Sequence, residues 1–245
     1  MGNIWGHFDQ IDVVGSLSQS LGIKVLVEND VNLAALGEYW MSGKETDHDL
    51  VFIAVGTGIG AGIVVDGQLL RGSCGGAGEI GFLPFGADPF EAESLNSGAL
   101  ERVAATHAII NLYESLSGKL TDVIGVFAAA DAGDEHAVRT LDEVSRQIAR
   151  AAAAIVAVVD PSKIVIGGSI GEQETLRSQI RHHLSGCCPR KIPIEKSRLG
   201  NHAALAGGVY TAISHLHISV FAEEERGAGI TFPPPSVENF RFGAL

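Results

Sequence analysis

Two polar residues, Asn29 and Asp30, follow a predicted strand at residues 24–27 and precede a predicted helix at 31–41. A carboxylate in such a position can accept a proton from a hydroxyl group, and an amide can both donate and accept hydrogen bonds. Open α/β sheets bind ligands at the carboxyl ends of their strands, so this position favours a binding site. The alternative is that both residues simply cap the helix, a common use of Asn and Asp.

A glycine-rich turn at residues 56–60 separates two predicted strands, residues 49–55 and 61–65. Without Cβ atoms its backbone N–H groups are open to approach, so the oxygens of a phosphate chain could bind there. The candidate residues are Gly56, Thr57, Gly58 and Gly60. In a dinucleotide site the glycines open a helix rather than a second strand, which argues against a Rossmann protein. A plain glycine hairpin turn is the alternative.

Further candidates lie in two other segments that contain glycine. Gly78 and Glu79 occur in a predicted loop at residues 74–86, where a carboxylate could accept from two adjacent hydroxyls or could simply be solvated. Gly167 and Gly168 follow a buried-type strand, and a Gly-Gly pair in that position is also a frequent turn.

The remaining pattern alternates helices and strands, which predicts an α/β fold. Helices are predicted at residues 14–21, 99–116, 121–132, 135–159, 173–184 and 203–217, and further strands at 68–71, 163–166 and 193–195. The segment from Glu223 onwards contains three consecutive prolines and cannot be regular structure throughout.

Composition excludes several classes of protein. With 46% hydrophobic and 19% charged residues the chain is globular, and its formal net charge of −12 argues against nucleic-acid binding by this segment. The three cysteines have no CxxC spacing, so no zinc site is predicted. Neither a signal peptide nor an apolar run of membrane length occurs, so we expect a cytoplasmic protein without membrane contact.

Three segments resemble successive motifs of the ROK family (repressors, open-reading-frame products and sugar kinases): VENDVNLAALGE at 27–38, VGTGIGAGIVVDG at 55–67 and GAGEIG at 76–81. The resemblance runs from about residue 10 to residue 217. It implies an actin-like ATPase (ribonuclease H-like) fold, in which sugar and nucleotide bind between two α/β lobes. The first lobe would comprise residues 1–45 with a closing helix at 200–220, the second lobe 46–199, and a tail 221–245.

The resemblance also implies roles for individual residues. Asp30 would be the general base that takes the proton of a sugar hydroxyl, while Asn29, Gly78 and Glu79 would bind the sugar. The turn at 56–60 would be a phosphate loop, with Gly167 and Gly168 beside the adenosine. Mg–ATP would be the cosubstrate of a kinase. A homodimer or homotetramer is expected, because ROK proteins commonly associate.

Two departures from the family pattern bear on function. Many ROK proteins carry a histidine and a CxCGxxGC zinc cluster where this chain has Phe82 and residues 88–101. We therefore expect no zinc, and expect Phe82, Leu83 and Phe85 to hold the loop by packing, whereas Glu101 still matches the glutamate that closes the family motif. The sequence also contains no DxGxT phosphate loop, from which a truncated first lobe is expected.

These departures favour the sugar-binding effector domain of a ROK-type transcriptional regulator. Such a domain would bind sugar without phosphotransfer, and would reach DNA only through a segment absent from this chain. The alternative is an ATP-dependent kinase of a hexose or N-acetylhexosamine, with Asp30 as general base. A remnant or interaction protein without a ligand is the third possibility.

Overall fold

The structure is a computed structural model that describes residues 12–43 and 49–221. Its helices are α1 (Val13–Leu21), α2 (Asp30–Ser42), α3 (Ala92–Ser97), α4 (Glu101–Ala104), α5 (Thr106–Ser117), α6 (Val123–Asp131), α7 (Glu135–Val159), α8 (Glu174–Cys187) and α9 (Ala203–Phe221). Its strands are β1 (Leu50–Val55), β2 (Ile59–Val65), β3 (Gln68–Leu69), β4 (Lys163–Gly167) and β5 (Ile194–Lys196).

The five strands form one mixed sheet in the order β3-β2-β1-β4-β5. β1, β2 and β3 are an antiparallel meander, whereas β4 and β5 continue the sheet in parallel with β1. In this register Val55 pairs with Ile59, and Ala54 pairs with Gly167. The turn after β1 and the turn after β4 therefore lie side by side at one edge of the sheet.

Helices cover both faces of this sheet, because successive side chains of a strand point to opposite faces. Val51, Ile53 and Val55 pack in a core cluster with apolar residues of α5, α6, α7 and α8. Leu50 and Phe52 pack in a second cluster with residues of α2 and α9. The result is a three-layer α/β/α arrangement with β1 buried at its centre.

Small residues allow α2 to lie very close to its neighbours. A Cβ atom on Gly37 would lie 2.2 Å from the carbonyl oxygen of Ala203, and one on Gly207 would lie 1.8 Å from that of Leu33. Against the sheet, a Cβ on Gly62 would lie 2.5 Å from the Cβ of Ala35. These approaches leave little freedom for α2, so its first residues are held beside the turn that follows β1.

Most of the predicted helices and strands are confirmed to within a few residues, including α7, which spans the predicted 135–159. Two element predictions are wrong. Residues 24–27 are not a strand, since no strand in the described part of the chain pairs with them. The predicted helix 99–116 is two helices, because Ala105 adopts an extended conformation (φ −89°, ψ 175°) between α4 and α5.

The sequence did not predict α3, and the predicted tail at 221–245 lies, apart from Phe221, outside the described residues. The division into two lobes stays a prediction. Across residues 12–43 and 49–221 no helix combines the length and the apolar character that crossing a membrane requires.

Candidate functional site

A cavity of about 290 Å³ opens at the sheet edge where β1 and β4 end. Its lining comes from the start of α2, the turn between β1 and β2, the loop that precedes residue 80, the first residue of α4 and the turn after β4. The predicted site residues that line it are Asn29, Asp30, Gly56, Thr57, Gly58, Gly60, Gly78, Glu79 and Gly168. The structure thus brings together every predicted site residue except Gly167.

Asn29 is the N-cap of α2. Its Oδ1 atom accepts hydrogen bonds from the backbone N–H groups of Val31 (2.9 Å) and Asn32 (3.2 Å). The capping alternative is therefore correct for this residue, but it accounts only for the oxygen. The Nδ2 amino group has no hydrogen-bond partner within the described part of the chain, so Asn29 can cap the helix and donate to a ligand together.

Asp30 is the first residue of α2 and lines the cavity with an exposed side chain. Its Oδ1 atom accepts from the N–H of Val31 at 2.9 Å. The N-terminus of a helix carries a partial positive charge, which interacts favourably with an acidic residue in the first turn. Asp30 therefore places a carboxyl group at the cavity, where it can accept a hydrogen bond from a hydroxyl of a ligand.

Glu28 directly precedes these two residues, and its side chain holds this segment in place through three hydrogen bonds. Its Oε1 atom accepts from the backbone N–H of Asn29 (3.1 Å) and from the Nδ2 of Asn32 (2.9 Å), while its Oε2 atom accepts from the Nε of Arg71 (2.7 Å). Partial burial acts to raise the pKa of Glu28, but the hydrogen bonds from Asn32, Asn29 and Arg71 outweigh it, so that pKa lies below its ordinary value.

The turn after β1 is fixed by its own backbone and by α5. The N–H of Gly56 donates to the carbonyl of Gly58 at 2.9 Å, and the carbonyl of Gly56 accepts from both the N–H (3.0 Å) and the Oγ1 (2.8 Å) of Thr106. The extended conformation at Ala105 turns Thr106 towards Gly56. The N–H groups of Thr57 and Gly58 have no partner among the described residues, so they can bind oxygens of a ligand.

Glu101 is a lining residue that sequence reasoning did not assign to the site. Its Oε2 atom accepts from the N–H of Ile59 at 3.1 Å, and a Cβ atom on Gly58 would lie 2.6 Å from that same oxygen. The carboxylate therefore supports the turn from the side of the cavity. The available signal was the match of Glu101 to the closing glutamate of the family motif, 42 residues beyond Ile59.

Gly78 anchors the loop that carries Glu79. Its carbonyl accepts from the N–H groups of Ala61 (2.8 Å) and Ile80 (2.7 Å), and its φ of +91° suits glycine. A Cβ atom at this position would lie 1.9 Å from the carbonyl oxygen of Ala61. The close contact holds the backbone against β2 while the side chain of Glu79 remains exposed at the cavity.

The two adjacent glycines at the end of β4 differ in position. Gly167 is buried, and a Cβ atom there would lie 2.5 Å from the Cζ of Phe52, so this residue supports the sheet rather than the cavity. Gly168 lines the cavity with a φ of +84°, and its Cβ would lie 2.5 Å from the carbonyl oxygen of Val55.

The segment that would carry a zinc cluster is held by other contacts. Leu83 and Phe85 pack against the main core as expected, but the expectation for Phe82 is wrong, since its side chain is 40% exposed. Arg102 binds Glu91, Glu93 and Ser94 at 2.6–2.9 Å, which fixes α3. Within the described ranges no three His, Cys, Asp or Glu residues form a group able to hold a metal ion; the absence of zinc stays a prediction.

Known proteins are similar to this chain in sequence and in fold. A glucokinase from Halalkalibacterium halodurans is 35% identical over 226 residues, which cover 83% of this chain and 67% of that protein. The crystal structure of a ROK hexokinase from Thermus thermophilus has a TM-score of 0.71 at 31% identity, over 82% of this chain and 69% of that one. The crystal structure of a ROK glucokinase from Streptomyces griseus, in complex with glucose and AMPPNP, has a TM-score of 0.65 at 25% identity, over 81% of this chain and 71% of that one.

The similarity also extends to regulators. A ROK family transcriptional regulator, a homologue of the E. coli MLC protein, has a TM-score of 0.70 at 27% identity, covering 80% of this chain and 53% of that protein. The predicted actin-like ATPase fold class is confirmed by these neighbours. The sequence profile of the ROK family matches residues 2–215, and with the glucokinase similarity it establishes that the chain belongs to the ROK family.

Proposed function

We propose that the cavity is the active site of an ATP-dependent sugar kinase in which Asp30 is the general base. One observation carries the proposal: the carboxylate of Asp30 and the glycine-rich turn at 56–60 line the same cavity. Phosphoryl transfer requires a group that accepts the proton of the attacking hydroxyl and donors that stabilise the transferred phosphoryl group. The similarity to a glucokinase and a hexokinase supports this function over the regulator domain that the motif departures favoured.

On the acceptor side, the polar groups suit neighbouring hydroxyls of a hexose or an N-acetylhexosamine. The Nδ2 of Asn29 donates, and the carboxylates of Asp30 and Glu79 accept. A carboxylate can accept from two adjacent hydroxyls at once, which matches the edge of a pyranose ring. The glucose named in the complex of the Streptomyces griseus glucokinase makes glucose the first sugar to test.

On the donor side, backbone groups suit a phosphate chain. The N–H groups of Thr57 and Gly58 and the hydroxyl of Thr57 can donate to phosphate oxygens, and Gly168 leaves room beside them. Mg²⁺ bound to ATP would neutralise phosphate charge. The AMPPNP in the same glucokinase complex supports ATP as the donor.

In the reaction, Asp30 takes the proton of the sugar hydroxyl as that oxygen bonds to the γ-phosphorus. The bond from the γ-phosphorus to the bridging oxygen breaks, and ADP leaves with its electron pair. Thr57 and Gly58 donate hydrogen bonds to the phosphate oxygens throughout. Such donors act without reorganising because β1, β2 and α5 hold the turn in place.

The test measures ADP release with glucose, N-acetylmannosamine and N-acetylglucosamine in the presence of Mg–ATP. Asp30→Asn is expected to lower kcat by about 10²–10⁴-fold while glucose still binds, because the variant loses the proton acceptor but keeps the shape. Asp122→Asn is the matched control, since Asp122 also lies at a helix N-terminus (its Oδ1 accepts from the N–H of Gly125) and does not line the cavity.

Two results would count against the proposal. Full activity in Asp30→Asn would remove Asp30 from the base role. Glucose binding by calorimetry with no ADP release from the wild-type protein would instead support the effector-domain function.

A further inference from the structure

An ion pair joins two segments that contribute to the cavity lining, the one that begins α2 and the loop that carries Glu79. The Oε2 atom of Glu28 lies 2.7 Å from the Nε of Arg71, 43 residues further along the chain. The side chain of Glu28 is 14% exposed and that of Arg71 is 54% exposed. Neither residue lines the cavity itself.

At the start of α2, Glu28 makes hydrogen bonds to the segment that carries Asn29 and Asp30. Its other oxygen accepts from the backbone N–H of Asn29 and from the buried side chain of Asn32. A displacement of the Glu28 carboxylate would therefore also shift Asn29, because the two are joined by a backbone hydrogen bond.

At the other end of the ion pair, Arg71 closes the base of the loop. Its carbonyl accepts from the N–H of Ala77 at 3.1 Å. The next residue, Gly72, has a φ of +75°, and a Cβ atom added there would lie 3.4 Å from the Cβ of Ala77. Ala77 directly precedes Gly78, whose carbonyl binds Ala61 of β2. The side chain of Arg71 thus holds the base of the loop to Glu28, while Gly78 holds its end to the sheet.

We propose that Glu28 and Arg71 are positioning residues that set the separation between the Asn29–Asp30 pair and Glu79, and with it the affinity of the site for the acceptor sugar. The inference rests on the proposed function, because it concerns the affinity of that same cavity for a sugar. The pair acts through its neighbours rather than by touching the ligand.

A purely structural role would have a different signature. An ion pair with one largely exposed partner adds little to global stability, so its loss would leave the unfolding temperature nearly unchanged. Sugar binding is more sensitive, because the hydrogen bonds between the site and the sugar weaken steeply when donor and acceptor are misaligned.

The test compares Arg71→Ala, Arg71→Lys and Glu28→Gln with wild type by sugar and ATP kinetics. We expect Arg71→Ala to raise the KM for glucose about tenfold, the upper value of one hydrogen bond, while the KM for ATP is unchanged. Arg71→Lys should raise the KM for glucose less than Arg71→Ala does, because it keeps the charge but not the Nε donor. The double variant Glu28→Gln with Arg71→Ala should raise this KM no more than the worse single variant does, because both changes break the same ion pair.

Arg146→Ala is the matched control. Arg146 pairs with Glu143 on α7 and is 56% exposed, close to the exposure of Arg71, but it lies outside the cavity. Its kinetics should match the wild type. A KM for glucose that Arg71→Ala leaves unchanged, or raises no more than the control does, would overturn the inference.

Amide hydrogen exchange provides a second measurement that needs no sugar. Arg71→Ala should speed exchange in residues 72–80, whereas Arg146→Ala should not. Unchanged exchange in that loop would overturn the positioning role even if the protein is a kinase. A wild-type protein that binds no sugar would end the proposed function, and the exchange result would still decide whether the ion pair holds the loop.

Discussion

The cavity has two halves that are built in different ways. One is a glycine half, formed by the backbone at residues 56–60, Gly78 and Gly168, where added Cβ atoms at several positions would collide with other backbone or side-chain atoms. The other is a side-chain half, formed by Asn29, Asp30 and Glu79, whose polar groups are exposed. Packing fixes the glycine half, so substitutions there should act on folding. The side-chain half contributes little to packing, so substitutions there should act on the ligand.

The largest expected effect is on stability, in the glycine half. Gly78→Ala would bring a Cβ to 1.9 Å from the carbonyl oxygen of Ala61 at a φ of +91°. Gly75→Ala is the matched control, since Gly75 has a φ of +75° and lines the same cavity, but has open space where the Cβ would lie. Both variants carry the conformational strain, so their difference isolates the collision, which should cost about 1–3 kcal/mol.

Thermal unfolding of the two variants measures this difference. Gly78→Ala should unfold several degrees below Gly75→Ala, because about 1 kcal/mol corresponds to about 2–4 °C in a domain of this size. Equal midpoints would mean that the loop yields at Gly78, and the glycine half would then not be fixed by packing.

Local signals explain what could be predicted from the sequence. Helix α7 was predicted with its observed bounds because Asp160 and Pro161 stop it, and in the structure Asp134 caps its start. Segment 24–27 has the composition of a strand, but a strand exists only if another strand pairs with it, and that depends on chain far away in sequence. Local signals therefore predict helices better than isolated strands.

The residues of the site could be predicted from the sequence, but which of them face the cavity and which contacts they make could not. Gly167 and Gly168 are indistinguishable by type. Which of them lines the cavity follows from the end of β4 at Gly167, whose Cβ position is filled by Phe52, and from the φ of +84° at Gly168. Glu101 supports Ile59 across 42 residues, a contact that motif spacing does not reveal. The double role of Asn29, as helix cap and candidate donor, required the atoms of its amide to be distinguished.

A smaller effect is expected where the glycine half meets a movable side chain. Gly58→Ala would bring a Cβ to 2.6 Å from the Oε2 of Glu101, which can swing away at the loss of its hydrogen bond to Ile59. Glu101→Ala loses the same hydrogen bond, so each variant should destabilise the protein by about 1 kcal/mol. The double variant should cost no more than the larger single effect, because one contact is lost in all three. Additive losses in urea unfolding would show that the two residues act separately.

The smallest stability effect, and the clearest separation of the two halves, is expected at Asn29. Asn29→Asp keeps an oxygen that can accept from Val31 and Asn32 and suits the helix N-terminus, so the unfolding temperature should stay close to that of the wild type. Asn29→Ala loses the cap and should cost about 1 kcal/mol. Both variants lose the Nδ2 donor, so both should bind glucose about 3- to 10-fold more weakly by calorimetry, the value of one hydrogen bond. If Asn29→Asp binds glucose as tightly as the wild type, Asn29 serves only the helix, and the side-chain half is reduced to the two carboxylates.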